Sequence, residues 1–110
     1  MFKAIFGSEK KGRILLFIYT HGESYPTEIA RAFGYHLNTV QNQMLNLEKD
    51  GILYSRLKGR VRLFGTNPRS PFNRELSALL EKALEFIPDQ EKRDIFLIRR
   101  RPRVTGKPMA

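Results

Sequence analysis

The chain has 110 residues, of which 41% are apolar, enough for a single domain with a modest core. It contains no Cys, which excludes disulfides and Cys-based zinc or redox sites and fits a cytoplasmic protein. No apolar run reaches the roughly 18 residues that a membrane-spanning helix needs. The N-terminus also lacks the long apolar core of a secretory signal.

The formal net charge is +9, and its placement is informative. Two segments, residues 52–70 and 99–110, hold half of the 20 basic residues and no acidic residue. The other half is matched by all eleven acidic residues, so the excess charge is localised, as expected for a surface that binds a polyanion. The basic residues of the two segments are Arg56, Lys58, Arg60, Arg62, Arg69, Arg99, Arg100, Arg101, Arg103 and Lys107.

The N-terminal part predicts two helices. Phe2, Ile5 and Phe6 suggest a short turn or helix, and Ser8 is a typical N-cap for a helix over residues 9–20. The apolar run from residue 14 to 19 is too long for one buried stripe. We therefore expect this helix to be buried on two sides of a monomer or partly in a dimer interface.

Residues 27–50 predict two short helices joined by a tight turn. Thr27 is the expected N-cap of the first helix, after Pro26, and Gly34 suits a left-handed residue at its end. The second helix covers residues 37–50, and Gly51 ends it. This arrangement is typical of a helix-turn-helix, whose second helix enters the DNA major groove. Residues 24–25 are expected to form a brief edge strand before it.

The second helix of this pair has two distinct faces. Apolar residues at spacings of three and four predict the buried face, and Asn and Gln dominate the outer face. Side-chain amides can bond bidentately to adenine, and an apolar residue suits a thymine methyl or a protein surface. The alternative is an ordinary solvated face. The buried set is Leu37, Val40, Met44 and Leu47, and the predicted DNA-contacting set is Asn38, Thr39, Gln41, Asn42, Leu45 and Asn46.

Residues 52–67 predict a β-hairpin, because two runs of β-forming residues flank a turn that contains Gly59. A hairpin directly after a recognition helix corresponds to the wing of a winged helix. Its cations predict contacts with DNA phosphates or the minor groove, and the alternative is a charged edge that resists aggregation. The wing cations assigned to DNA binding are Arg56, Lys58, Arg60 and Arg62.

The C-terminal part predicts two further helices. A rigid break at residues 67–71 precedes a helix over residues 72–86, and a short helix follows Pro88 to about residue 98. Residues 99–110 have little to bury, so we expect a disordered basic arm that adds phosphate contacts. The predicted fold class is thus mainly α with a small β-hairpin (α+β), in one domain over residues 1–98.

Residues 27–67 resemble the winged helix of bacterial ArsR- and MarR-type transcriptional regulators. Small ArsR-like proteins also share a Phe-Gly-Ser before the first long helix and an Asn-Pro-x-x-Pro before a Leu-rich helix, here at residues 6–8 and 67–71. The resemblance covers about residues 5–87. The matching positions are Ile29, Ala30, Gly34, Val40, Met44, Leu47, Glu48, Gly51, Ile52, Leu53, Gly59, Arg60 and Phe64.

The resemblance implies a sequence-specific regulator of double-stranded DNA, usually a homodimeric repressor that dimerises through its first and C-terminal helices. It implies no cofactor, and the chain lacks the Cys ligands of metal-sensing members; His21 and His36 are its only His. No phosphate-binding loop or nucleophile–base motif points to an enzyme. The alternative function is a winged helix that binds RNA or docks onto a protein.

Overall fold

A computed structural model describes residues 1–97 of the chain. Its helices and strands occur in the predicted order and give a mainly helical fold with one antiparallel hairpin. The predicted boundary at residue 98 and the predicted basic arm lie outside the described residues. The elements are α1 (Phe2–Phe6), α2 (Glu9–His21), α3 (Pro26–Phe33), α4 (Leu37–Lys49), β1 (Leu53–Lys58), β2 (Val61–Thr66), α5 (Asn73–Glu85) and α6 (Asp89–Glu91), which continues as a π-helical turn (Lys92–Phe96).

Helix α2 forms the centre of the core. Ser8 caps it as predicted, because its hydroxyl accepts a hydrogen bond from the Lys11 amide at 3.1 Å. The five consecutive apolar residues from Ile14 to Ile18 are all buried, since α1, α4, α5, β2 and the π-helical turn pack around this one helix. Of the two predicted alternatives, burial on several sides of a monomer is therefore the one observed.

Each helix of the helix-turn-helix, α3 and α4, ends at a glycine in the left-handed conformation. Gly34 takes the predicted left-handed conformation, with φ of 70°, after α3. At the end of α4, the amides of Gly51 and Ile52 donate to the carbonyls of Glu48 and Leu47, which is a Schellman motif. Gly51 has φ of 80°, so the chain turns sharply from α4 into β1.

Two predictions in this segment are wrong. The N-cap of α3 is Tyr25 rather than Thr27, because Pro26 occupies the first helical position, where its fixed φ fits and its missing N–H costs nothing. Leu37 is 39% exposed instead of buried, since it is the first residue of α4 and lies beyond the reach of the core. The other three residues of the predicted apolar face, Val40, Met44 and Leu47, are buried.

The hairpin of β1 and β2 is joined to the helical core through a short third strand. Ser24 exchanges two backbone hydrogen bonds with Phe64 of β2, of 3.0 and 2.8 Å, which confirms an edge strand at this point. The Ser24 hydroxyl, which is fully buried, donates to Glu28 Oε1 at 2.6 Å. β2 is therefore the central strand, and β1 is the outer strand of the wing.

The C-terminal elements pack against α2. Leu80 and Ala83 of α5 and Phe96 of the π-helical turn are buried in the common core, and Arg13 of α2 forms an ion pair with Glu91. Leu79 of α5 is exposed, and so are Phe72 and Phe86, which cap the two ends of this helix. In the part of the chain described here, no helix is long and apolar enough to cross a membrane.

Candidate nucleic-acid interface

The outer face of α4 presents the predicted side chains to solvent. Asn38, Gln41, Asn42 and Asn46 are exposed, and Thr39 is half-buried at the margin of the face. Within residues 1–97 no protein group forms a hydrogen bond with the three Asn amides, so their donors and acceptors are available to another molecule. Leu45 lies among them with 49% of its surface exposed.

A groove separates this face from the wing. It has a volume of about 490 Å³ and runs between the start of α3, the outer side of α4 and the tip of the hairpin. Two of the predicted cations, Arg60 and Arg62, line it opposite Gln41 and Leu45. The structure therefore brings the amide face and the basic wing together on one side of the molecule.

The tip of the wing is a two-residue turn. β1 and β2 pair in register from Leu53 with Thr66 to Lys58 with Val61, which leaves Gly59 and Arg60 as the connection. Gly59 has φ of 63°, a left-handed conformation that tight hairpin turns require and that glycine adopts without strain. Lys58 and Arg60 are exposed, and their side chains form no hydrogen bond or ion pair with the described part of the chain.

The other two wing cations have partners inside the protein. The Arg56 guanidinium donates to both carboxylate oxygens of Glu23, from Nε at 2.9 Å and from Nη2 at 2.7 Å. Arg62 Nη1 donates to Ser55 Oγ at 2.9 Å, and that hydroxyl donates to Glu48 Oε2 at 2.5 Å. The four cations of the wing thus divide into two held by hydrogen bonds, Arg56 and Arg62, and two that are free of them.

The charges around Glu23 reinforce one another. The hydrogen bond from Arg56 lowers the pKa of the Glu23 carboxyl, and the Tyr54 hydroxyl donates a further bond to Glu23 Oε2. Burial, together with that bond to Glu23, raises the pKa of Tyr54 to about 12. Glu23 is therefore an anion, and Tyr54 a neutral donor, across the whole physiological pH range.

Sequence reasoning missed Glu23 and Ser55, which bind Arg56 and Arg62, and it missed Tyr54 and Glu48, which form hydrogen bonds with those two partners. Residues 52–70 contain no acidic residue, but this describes only neighbours in sequence. In the folded chain, acidic residues of α4 and of the loop after α2 lie next to the wing. One signal was present: Gly65 lies within a strand, and its partner across the hairpin is Tyr54. A Cβ at Gly65 would lie 2.6 Å from the Tyr54 ring, so glycine marks the close approach of that ring.

The described residues contain no group of three or more His, Cys, Asp or Glu side chains that could hold a metal ion. The expectations that the protein binds no metal and needs no cofactor stay predictions.

The chain is similar to known proteins in structure but not detectably in sequence. No protein-family profile matches the chain, and no curated protein sequence is significantly similar to it. The AntR antimony-specific transcriptional repressor is 21% identical, with a TM-score of 0.63 over 82% of this chain and 77% of that protein. MepR, a transcription regulator of the Staphylococcus aureus multidrug efflux pump MepA, is 17% identical, with a TM-score of 0.59 over 83% and 73%.

A third solved structure, a variant of Lactococcus lactis ZitR in the apo form, is 17% identical, with a TM-score of 0.54 over 83% of this chain and 77% of ZitR. At these identities the similarity establishes the architecture. The helices, the hairpin that follows them and their order agree with the expectation from the sequence. The chain therefore has the winged helix-turn-helix fold of MarR- and ArsR-type transcriptional regulators.

Proposed function

We propose that the protein is a homodimeric transcriptional regulator that binds double-stranded DNA at specific sequences, with α4 in the major groove. The observation that supports this most strongly is the groove between α4 and the wing, where the Gln41 amide and the Arg60 cation share one surface and the unpaired Asn amides lie on the exposed face of the same helix. An enzyme would need a cleft with a nucleophile, a base or a cofactor site, and this surface has instead the chemistry of base and phosphate contacts.

Helix α4 supplies the groups that would read bases. Asn38 and Asn42 lie one turn apart on its exposed face, and each amide has a donor and an acceptor that match the major-groove edge of adenine. Leu45 continues the same surface and suits the methyl group of thymine. We expect Thr39, Gln41 and Asn46 to complete the contact surface at its margins.

The wing supplies groups that would position the protein on the backbone. Arg60 is at the tip of the hairpin and faces the groove, and the side chain of Lys58, two residues earlier, forms no hydrogen bond within the described structure. Contacts from such cations to phosphates contribute affinity that depends on salt, without sequence information. If Arg60 enters the minor groove, it will also favour A·T-rich flanks.

Dimerisation would provide a second half-site. Leu79 of α5 and the two residues that cap this helix, Phe72 and Phe86, are spaced seven residues apart and expose 36%, 64% and 68% of their surfaces. Seven residues make nearly two helical turns, so we expect the three side chains to lie along one edge of α5, a stripe that a second copy can cover. Two copies related by a two-fold axis would read a pseudo-palindrome with half-sites about 34–36 Å apart. AntR, whose structure is similar, is a transcriptional repressor, which supports repression as the outcome.

The proposal is tested by separating reading from positioning. A preferred duplex is first selected from a random pool, and variants are then titrated on preferred and scrambled duplexes at several salt concentrations. Arg60→Ala should weaken binding to both duplexes and reduce the slope of log affinity against log salt by about one. Asn42→Ala should leave that slope unchanged and cost about 1–3 kcal/mol on the preferred duplex only.

Matched controls come from the same molecule. Arg74→Ala removes an exposed cation from α5, and Gln43→Ala removes an amide of α4 outside the exposed Asn face; neither should change binding. Equal losses on both duplexes for Asn42→Ala would mean that the amide face is only solvated. If no duplex is preferred at all, the protein is instead an RNA-binding or protein-docking winged helix.

A further inference from the structure

The base of the wing is held on both of its faces. Tyr54 and Arg56 alternate with Ser55 along β1, so they point to one side of the hairpin and Ser55 to the other. On the first side both residues bind Glu23 of the loop after α2. On the second side, Ser55 binds Glu48 of α4. The hairpin is thus tied to the two elements that flank it.

The contact with Glu23 has the geometry of a specific clamp. The guanidinium and the carboxylate form two parallel hydrogen bonds, of 2.9 and 2.7 Å, and the Tyr54 hydroxyl completes the shell of the same carboxylate. Only the planar fork of Arg provides such a bidentate pair, and the ammonium group of Lys cannot replace it. The clamp also spans 33 residues of sequence, so it fixes tertiary geometry rather than a local turn.

The position of Glu23 explains why this clamp matters for the wing. Glu23 directly precedes Ser24, whose backbone pairs with Phe64 of β2. The same loop is therefore attached to β2 through its backbone and to β1 through the Glu23 side chain. Gly65 lets the Tyr54 ring lie flat across β2, where a Cβ would be 2.6 Å away. Both strands of the hairpin are consequently attached to the same short loop, directly before α3.

We propose that Arg56 is a positioning residue, which with Glu23 and Tyr54 sets the angle of the wing against α4, and that it is not one of the residues that contact DNA. The inference rests on the proposed function and reassigns one of the four wing cations. Lys58 and Arg60, whose side chains form no hydrogen bond with the described residues, are then the cations that the wing presents to phosphates.

Replacement of Glu23 distinguishes a phosphate contact of Arg56 from a positioning role, because the two roles predict opposite changes in DNA affinity. If Arg56 contacted a phosphate and Glu23 competed for it, Glu23→Gln would release the guanidinium, remove a negative charge near DNA and strengthen binding. If Arg56 positions the wing, the same replacement weakens binding to the preferred duplex severalfold, because the wing loses its orientation. Unchanged or tighter binding by Glu23→Gln overturns the proposal.

Conservative replacement of Arg56 gives a second test. Arg56→Lys keeps the charge and loses the fork, so it should weaken binding nearly as much as Arg56→Ala. A phosphate contact would instead survive in the Lys variant. The double variant Glu23→Gln/Arg56→Ala should bind no worse than either single variant, because the two residues act as one unit. Lys58→Ala is the matched control, and it should lower the salt slope by about one without loosening the hairpin.

Two measurements need no DNA, so they remain valid if the proposed function fails. Hydrogen exchange of the amides of β1 and β2 should accelerate severalfold in Glu23→Gln and Arg56→Lys and stay unchanged in Lys58→Ala. The ring-carbon NMR signal of Tyr54 should titrate at lower pH in Glu23→Gln, because the anion that favours its proton is gone. Reversal of both charges, Glu23→Arg with Arg56→Glu, should restore slow exchange. If neither Glu23→Gln nor Arg56→Lys changes exchange in the hairpin, the proposal is overturned.

Discussion

Helices α2 and α5 both carry many apolar residues, and the fold covers them to different extents. In α2, the side chains from Ile14 to Ile18 are 0–1% exposed, because other elements surround the helix. In α5, Leu80 and Ala83 face α2, whereas Phe72 and Phe86 remain more than half exposed at the two ends of the helix. An apolar run therefore indicates an interface only when its neighbours within the chain leave it uncovered.

The difference between α2 and α5 changes which surface is expected to form the dimer. The sequence left open whether part of the apolar run of α2 faces a partner, and the structure shows that a single chain buries the run from Ile14 to Ile18. Ile95 and Phe96 of the π-helical turn are likewise half-buried and buried within the chain, so they offer little surface to a partner. The stripe of α5 is what remains for a second copy.

The largest expected effect is on stability, and the same replacement, Leu to Ala, is made in α2 and in α5 to compare the two helices. Leu16→Ala in α2 should lower the free energy of unfolding by about 2–5 kcal/mol, because it leaves a cavity in a fully enclosed site. Leu79→Ala in α5 should lower it much less when both are measured by urea unfolding at a protein concentration too low for dimers. Similar losses would contradict the distinction between an enclosed and an open helix.

The next prediction addresses association directly. Leu79→Glu should abolish the dimer, weakening association by more than about a hundredfold, because two copies of the interface would each desolvate an unpaired carboxylate. Ala78→Glu, at the neighbouring exposed position outside the stripe, is the control and should leave association unchanged. Sedimentation equilibrium measures both. A wild-type protein that is monomeric at tens of micromolar would refute the dimer altogether.

A smaller effect tests how α2 is enclosed at its N-terminal half. Phe2 of α1 lies against Gly12, where a Cβ would come within 2.3 Å of the Phe2 side chain. Gly12→Ala should therefore displace α1 and expose Phe2, with a net loss of about 1–2 kcal/mol after the gain in helix propensity is subtracted. Chemical shifts of the Phe2 ring and urea unfolding report this, and a stabilised variant with unchanged Phe2 shifts would show that α1 adds nothing to the enclosure.

These contrasts show which features could be read from sequence. The caps at Ser8, Gly34 and Gly51 and the hairpin turn at Gly59 were predictable because each depends on the chemistry of a few adjacent residues. The exposed face of α4 followed from helical periodicity. The base of the wing did not, because Glu23 meets Arg56 only once α2, α3 and the hairpin have packed.

The prediction that Leu37 is buried failed for a related reason. Periodicity assigns Leu37 and Val40 to the same face of α4, but only Val40 is buried, because the core extends no farther along the helix. The assignment of Thr27 as a cap failed at a single residue, where the preference of Pro26 for the first helical position prevailed.

The smallest effect concerns how the enclosed helix begins. The Ser8 hydroxyl accepts the Lys11 amide at 3.1 Å and satisfies one of the free donors of the first turn of α2. Ser8→Ala should therefore lower the free energy of unfolding by about 1 kcal/mol. Ser77→Ala, in the middle of α5, is the matched control: its hydroxyl forms no hydrogen bond with the described residues, and Ala favours a helix, so that variant should be neutral or more stable by a few tenths of a kcal/mol. Urea unfolding of both variants decides the point, since equal effects would mean that the Ser8 cap contributes nothing beyond helix propensity.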